Sequence, residues 1–186
     1  MMSTGTRVYW TIIIVAITAV AVSSAGCTSQ TTQSPTPGVP AGFLSYTDKN
    51  AGVEMGYPSD WQLIGNSGGA TIAEFQHGND AISFQIQIIA TQSGKTPQSL
   101  APSLISSLQK SDTSTSILEN HTASLGGLPG YELVFTFKVG GQPYKALIVW
   151  AVKGSSVYEI QFYGPSAQYD EQISTAQQMI SSFEFI

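Results

Sequence analysis

The chain has one cysteine, one arginine and no uninterrupted apolar run long enough to span a bilayer. A single thiol, Cys27, excludes an intramolecular disulfide and any thiolate-based zinc site. Charge is scarce: 10% of residues are Asp, Glu, Lys or Arg, against about 25% in ordinary soluble domains. Net charge is −5 and the pI about 4.8. The basic clusters that neutralise phosphates are missing, which argues against a nucleic-acid partner. No Walker loop, dinucleotide fingerprint or paired carboxylates on a helix face occur.

What is present begins at the N-terminus. Arg7 precedes the run VYWTIIIVAITAVAV, Val8 to Val22. A transmembrane helix needs about 20 apolar residues, so this run fits a secretory signal. Small residues follow and end in Cys27. Ala25-Gly26-Cys27 resembles the lipobox of prokaryotic lipoproteins, in which the cysteine is lipidated and becomes the mature N-terminus. A stable anchor takes two or more acyl chains. The alternatives are an uncleaved signal anchor and a cleaved signal with an incidental cysteine. Cleavage removes Arg7 and leaves six lysines against twelve Asp and Glu. The expected organisation is a signal peptide over 1–26, a lipidated Cys27 with a Ser/Thr/Pro-rich tether over 27–40, and a globular domain over 41–186. TSQTTQSPTPGVP buries too little apolar surface to offset its ordering entropy, and its prolines favour an extended spacer.

From Ala41 onward the patterning is globular. Strands are expected at Phe43 to Thr47, Val53 to Tyr57, Thr71 to Gln76 and Ala81 to Thr91. In the last, Ile82, Phe84, Ile86 and Ile88 share one face and Ser83, Gln85 and Gln87 the other. Thr96 before Pro97 opens a helix running to Lys110, with Pro102 leaving its start open by a turn. Further strands are expected at Ser116 to Leu125, Tyr131 to Val139, Tyr144 to Val152 and Val157 to Tyr163, joined by GGLPG, VGGQP and KGSS. ALIVWAV is apolar on both faces, so this strand is expected to be central and covered on both sides. Tyr169, Ile173, Ala176, Ile180 and Phe183 mark a C-terminal amphipathic helix over Ser166 to Phe183, with Asp170 and Glu171 placed in its first turn. The fold class is α+β: an antiparallel sheet of about six or seven strands with helices packed on it.

Candidate chemistry is sparse. GNSGG matches G-x-S-x-G around Ser67, and Asp112 and His121 follow in the order of one hydrolase triad. That motif requires a strand-to-helix turn, whereas a strand pattern follows here. Ser107 and Lys110 match S-x-x-K without the companion motifs. His77 and Asp80 offer two ligands where a metal site takes three or four, and the proximity of His121 is open. Asn120-His121-Thr122 is a glycosylation sequon.

The segment GVEMGYPSDW carries the most specific pattern. Gly52, Tyr57, Pro58 and Trp61 match the "GF-x-x-x-YP-x-x-W" hallmark of PsbP-like proteins. GGLPGYELVFTF, Gly126 to Phe137, resembles a second recurring segment, and Ala176-x-x-Met-Ile-x-Ser-Phe183 resembles the usual end of the last helix. The likeness spans about Phe43 to Phe183. It implies an α/β/α sandwich with a central antiparallel sheet, shared with the Mog1 nuclear-transport protein. Plant and cyanobacterial members are non-enzymatic extrinsic subunits of photosystem II that support calcium and chloride retention. Many prokaryotic relatives are lipoproteins with no photosystem. The few lysines and the lipoprotein-like leader set this chain apart from the plant pattern, and no calcium ligand carries over; no cofactor is expected. The expectation is an exported, lipid-anchored, non-enzymatic domain at the outer face of the cell membrane that binds or stabilises a membrane-associated protein. The alternatives are a surface serine hydrolase using Ser67 and a small-ligand-binding lipoprotein. Tyr57, Pro58 and Trp61 are read as a structural corner, with Trp61 folding back over the core.

Overall fold

The computed structural model describes residues 40–65, 69–78, 80–91 and 94–186. The leader, the tether, Cys27 and Ser67 lie outside the described residues. The elements run β1 (Phe43–Asp48), β2 (Val53–Pro58), β3 (Trp61–Gly65), β4 (Thr71–His77), β5 (Ser83–Ala90), α1 (Pro97–Ser111), β6 (Ser116–Leu125), β7 (Leu128–Val139), β8 (Gln142–Lys153), β9 (Ser156–Pro165), α2 (Ser166–Ser181) and β10 (Glu184–Phe185). Seven strands form one antiparallel sheet in the order β3-β4-β5-β9-β8-β7-β6. β1, β2 and β10 form a second, three-stranded sheet.

The large sheet has a core on each face. α1 covers one face through Ala101 and Leu108, which pack among Tyr131, Leu133, Phe135, Ile148 and Trp150. On the other face α2 and the small sheet bury Met55, Phe75, Phe84, Val149, Ile160, Phe162, Tyr169 and Met179. Alternate residues of β8 feed the two cores: Ala146, Ile148 and Trp150 enter one, Leu147, Val149 and Ala151 the other. The apolar run ALIVWAV is therefore a strand buried on both sides, as its composition requires.

α1 starts at Pro97 without delay. Thr96 accepts the Ser99 N–H and Ser99 returns a hydroxyl acceptor to the Thr96 N–H, a capping box that holds the first turn. Pro102 sits inside the helix, exposed, and costs it one backbone hydrogen bond.

Two strands were not expected, and two expectations need correction. Trp61 is buried in the core, 3% exposed, and opens β3, a strand not expected there, which joins the large sheet with Trp61 pairing with His77. The chain thus passes from the small sheet to the large one at Pro58–Trp61. The ending FEFI supplies β10, which pairs with Val53 and Glu54 of β2. β7 begins at Leu128, so the link from β6 is the two-residue turn Gly126-Gly127 rather than GGLPG. Both glycines have positive φ, 56° and 76°, the primed-turn geometry that matches strand twist. Asp170 and Glu171 lie in the second turn of α2, whose first turn holds no acid; Asp170 instead pairs with Lys145 of β8 at 2.9 Å.

The glycine pattern has a packing cause. A Cβ on Gly126 would lie 2.7 Å from the Phe185 ring, and one on Gly130 would lie 2.8 Å from the Trp150 carbonyl oxygen. The first position admits the C-terminal strand; the second lets β7 approach β8.

Candidate functional site

Among the described residues singled out from sequence, Asp112 and His121 do not meet. Gly65, two residues before Ser67, ends β3, while His121 lies on β6; β3 and β6 are opposite edges of the sheet. Six strand spacings of about 4.8 Å separate those edges, roughly 29 Å. Asp112 caps the C-terminus of α1, and its carboxylate accepts the Ser114 N–H at 2.8 Å. Hydrogen bonds from the Ser114 side chain and backbone hold that carboxyl below its ordinary range. Ser107 and Lys110 are exposed on the outer side of α1.

His77 is brought against two carboxylates. Its Nδ1 lies 2.8 Å from Asp80 and its Nε2 3.5 Å from Asp60. The two contacts use ring nitrogens on opposite sides of the imidazole, so the carboxylates clamp the ring rather than converge on a shared ion. Among the described residues no group of three or more His, Cys, Asp or Glu is arranged to hold a metal. The Trp61 ring stacks obliquely on His77 with centroids 5.7 Å apart, which ties the clamp to the corner. Tyr57 packs on Phe75 at 4.8 Å and Trp61 is 3% exposed. Asn120 is exposed, and its Oδ1 accepts the Tyr131 hydroxyl at 3.0 Å.

A polar constellation that the sequence reading passed over lies on the α1 side of the large sheet. α1 packs on β6, β7 and β8, and beside it on β5 and β9 Ser83, Gln87, Glu159 and Gln161 are buried, at 8, 4, 3 and 4% exposure. The register aligns Glu74 with Gln85, Gln85 with Gln161, and Gln87 with Glu159. Ser83 Oγ and Gln85 Nε2 both donate to Glu74 Oε1, at 3.0 and 3.1 Å. Gln85 Nε2 also reaches the Tyr163 hydroxyl at 3.1 Å, and Gln87 Nε2 donates to Gln85 Oε1 at 3.1 Å. Gln161 Nε2 donates to Glu159 Oε1.

Glu159 is 3% exposed. Burial raises its pKa from 4.5 to about 7, against a smaller lowering by the Gln161 hydrogen bond. Tyr163 is also raised, first by burial. The alternation of Gln85 and Gln87 with isoleucines pointed to a solvated face. The signal that would have corrected it is Glu159 and Gln161 at the matching spacing on β9, whose neighbours are all apolar. Chemically the constellation satisfies its own donors and acceptors along the sheet. Glu74 and Glu159 are held apart by β5, so they do not form a carboxylate dyad. On the opposite side of the molecule an open groove of about 440 Å³ runs along α2, lined by Pro40, Ser174, Gln177, Gln178, Ser181 and Ser182, with no charged group.

Comparison with known proteins places this architecture. The PsbP family model matches residues 41–185. No match was found among curated proteins. Cyanobacterial PsbP (CyanoP) from Synechocystis sp. PCC 6803 superposes with a TM-score of 0.63 at 15% identity, covering 83% of this chain and 99% of that one. The Ran-binding protein Mog1p of Saccharomyces cerevisiae gives a TM-score of 0.56 at 9% identity, covering 77% of this chain and 95% of that one. LpqN of Mycobacterium tuberculosis, described as involved in cell envelope biogenesis, gives 0.53 at 14% identity, covering 71% of this chain and 82% of that one. At such identities these likenesses establish the fold. The family match covers most of the chain in one continuous stretch, with the Tyr57-Pro58 and Trp61 corner inside it, and by that match the chain belongs to the PsbP family.

Proposed function

We propose that this protein is a non-enzymatic, lipid-anchored extracytoplasmic PsbP-like domain that binds or stabilises a membrane-associated protein. The observation that carries the reading is an order of segments. A short apolar leader ends at Ala25-Gly26-Cys27, a tether rich in Ser, Thr and Pro follows, and the family match begins at residue 41. A tether of this kind lifts a folded domain off a bilayer. Asp112 at the end of α1 and His121 on the edge strand β6 do not meet, which supports a binding role over a hydrolytic one.

Metabolic labelling with an alkyne fatty acid tests the anchor. The full-length chain takes up label and partitions into membranes, whereas Cys27→Ala loses both. Label retained in Cys27→Ala, or wild-type protein released freely into the medium, overturns it. Crosslinking of intact cells tests the partner: a membrane protein is captured, and a strictly monomeric product with no adduct counts against the reading. A fluorophosphonate probe leaves the chain unlabelled; labelling lost in Ser67→Ala would replace the binding role with a hydrolase.

A further inference from the structure

His77 ends β4 and joins three pieces of chain. Asp60 belongs to the Pro58–Trp61 passage between the two sheets, and Asp80 to the turn between β4 and β5. Two contacts hold the Asp80 side without any charge. The Asp80 N–H donates to the His77 carbonyl at 2.9 Å, and Gln76 Nε2 donates to the Asp80 carbonyl at 2.8 Å. The Asp60 side has no such bond among the described residues. Its carboxylate, 71% exposed, meets one partner there, His77 Nε2 at 3.5 Å.

An imidazole donates to both carboxylates only when it carries two protons; neutral, it has one N–H. The shorter contact, 2.8 Å from Nδ1 to Asp80, keeps that proton, and Nε2 then turns a lone pair toward Asp60. Attraction becomes repulsion on the side that is held by nothing else. The Trp61 ring, its centroid 5.7 Å from that of the imidazole, adds a face that attracts a cation. Asp60 and Asp80 are the charged groups that face His77 among the described residues, and the flanking strands β3 and β5 carry no titratable side chain.

We propose that His77 is a pH-operated clasp at the crossing between the two sheets: its imidazolium holds the Asp60 passage, and with it the edge strand β3, onto β4, and loss of the proton lets that edge open. β3 is suited to move. It is five residues long, pairs with β4 alone among the described residues, and breaks register between Leu63 and Gly65. Segments held by few partners open at the low end of the stability range. Closing favours the proton, so by linkage a rise in pH favours opening, across the range in which imidazole titrates. His121 is no second clasp. Its Nε2 meets Glu119 and Glu132, which lie on β6 and β7, strands already paired along their length.

The test uses the full-length chain in detergent micelles and does not depend on whether Cys27 is lipidated. Exchange of the protected amides among Gln62, Leu63 and Ile64 is compared between wild type and Asp60→Asn at one pH, which cancels intrinsic exchange and the titration of Glu159. At pH 5.5 the variant is expected to exchange about threefold faster, as for loss of one exposed ion pair, and at pH 8 the two proteins agree. An Asp60 that served only the local backbone would give the same ratio at both. NMR of the imidazole ring protons reads the reciprocal effect. The ratio of protonated to neutral His77 falls about threefold in Asp60→Asn and about fivefold in Asp80→Asn, with His121 unmoved. Circular dichroism confirms that both variants are folded. An exchange ratio that does not change with pH, or a His77 titration that Asp60→Asn leaves in place, would overturn the proposal.

Discussion

One face of the large sheet is built in two ways. Beneath α1, on β6 to β8, it presents Tyr131, Leu133, Phe135, Ala146, Ile148 and Trp150, all buried among apolar neighbours. Past β8 the same face presents Glu74, Ser83, Gln85, Gln87, Glu159, Gln161 and Tyr163, linked by side-chain hydrogen bonds. The first half is held by burial against a helix. In the second, the long side chains are buried and satisfy one another along the sheet. Glu159 stands on the border, paired in register with Gln87 on one side and Trp150 on the other. Its carboxyl is desolvated by the apolar half while only the polar half offers it a donor. The comparison teaches that a single sheet face can change from dispersion to hydrogen bonding across one strand boundary, and that the strain of the change falls on one titratable group.

Trp150→Ala breaks the apolar half. The indole is 1% exposed, packs against Tyr131 at 5.2 Å, and donates its Nε1–H to the Pro97 carbonyl at 3.0 Å. Its removal leaves a cavity under α1 and frees the first turn of that helix. Urea unfolding followed by circular dichroism is expected to show a loss of about 3–5 kcal/mol. A loss below about 1 kcal/mol would mean that α1 is not held by this contact.

Glu159→Gln sharpens the border. A carboxyl raised from 4.5 unfolded to about 7 folded favours the folded state when protonated. Its contribution is complete below pH 4.5 and is lost as pH rises through 7. The wild-type chain therefore gives up about 3 kcal/mol from this group between pH 4.5 and 8. The amide keeps an acceptor for Gln161 and carries no charge. Glu159→Gln is expected to match wild type at pH 4.5, exceed it by about 3 kcal/mol at pH 8, and flatten the dependence between. Equal stability of the two proteins at pH 8 would place Glu159 in a solvated setting.

These two residues also mark how far sequence reaches. Trp150 was legible: ALIVWAV admits only a strand covered on both sides, and apolar periodicity likewise recovers α2 from the stripe Tyr169, Ile173, Ala176 and Ile180, with the helix ending at Ser181, two residues short of Phe183. The Tyr57-Pro58 and Trp61 corner was legible as a family pattern, though Trp61 begins a strand. β3 and β10 were not legible, because WQLIG and EF are too short to carry periodicity and are strands only by virtue of β4 and β2 beside them. Glu159 was hidden for a related reason. A Gln or Glu alternating with isoleucine reads as a solvated position on one strand, and its burial depends on the amides that register brings from β5. Chain order was equally silent on Asp112 and His121, which the fold puts at the end of α1 and on the edge strand β6.

Thr96→Ala tests whether the two halves are coupled through the placement of α1. The hydroxyl accepts the Ser99 N–H at 3.2 Å, the side-chain half of the capping box that starts the helix directly before the Pro97 carbonyl used by Trp150. Loss of such a cap costs about 1 kcal/mol. The expected outcome is that loss at pH 4.5 and at pH 8 alike, since the cap touches no group that titrates in this window. If the cost instead grows between those values, α1 shields Glu159 as well as Trp150. The polar half would then owe its burial to the helix that packs beside it, and the boundary between the halves would lie one strand further toward β5.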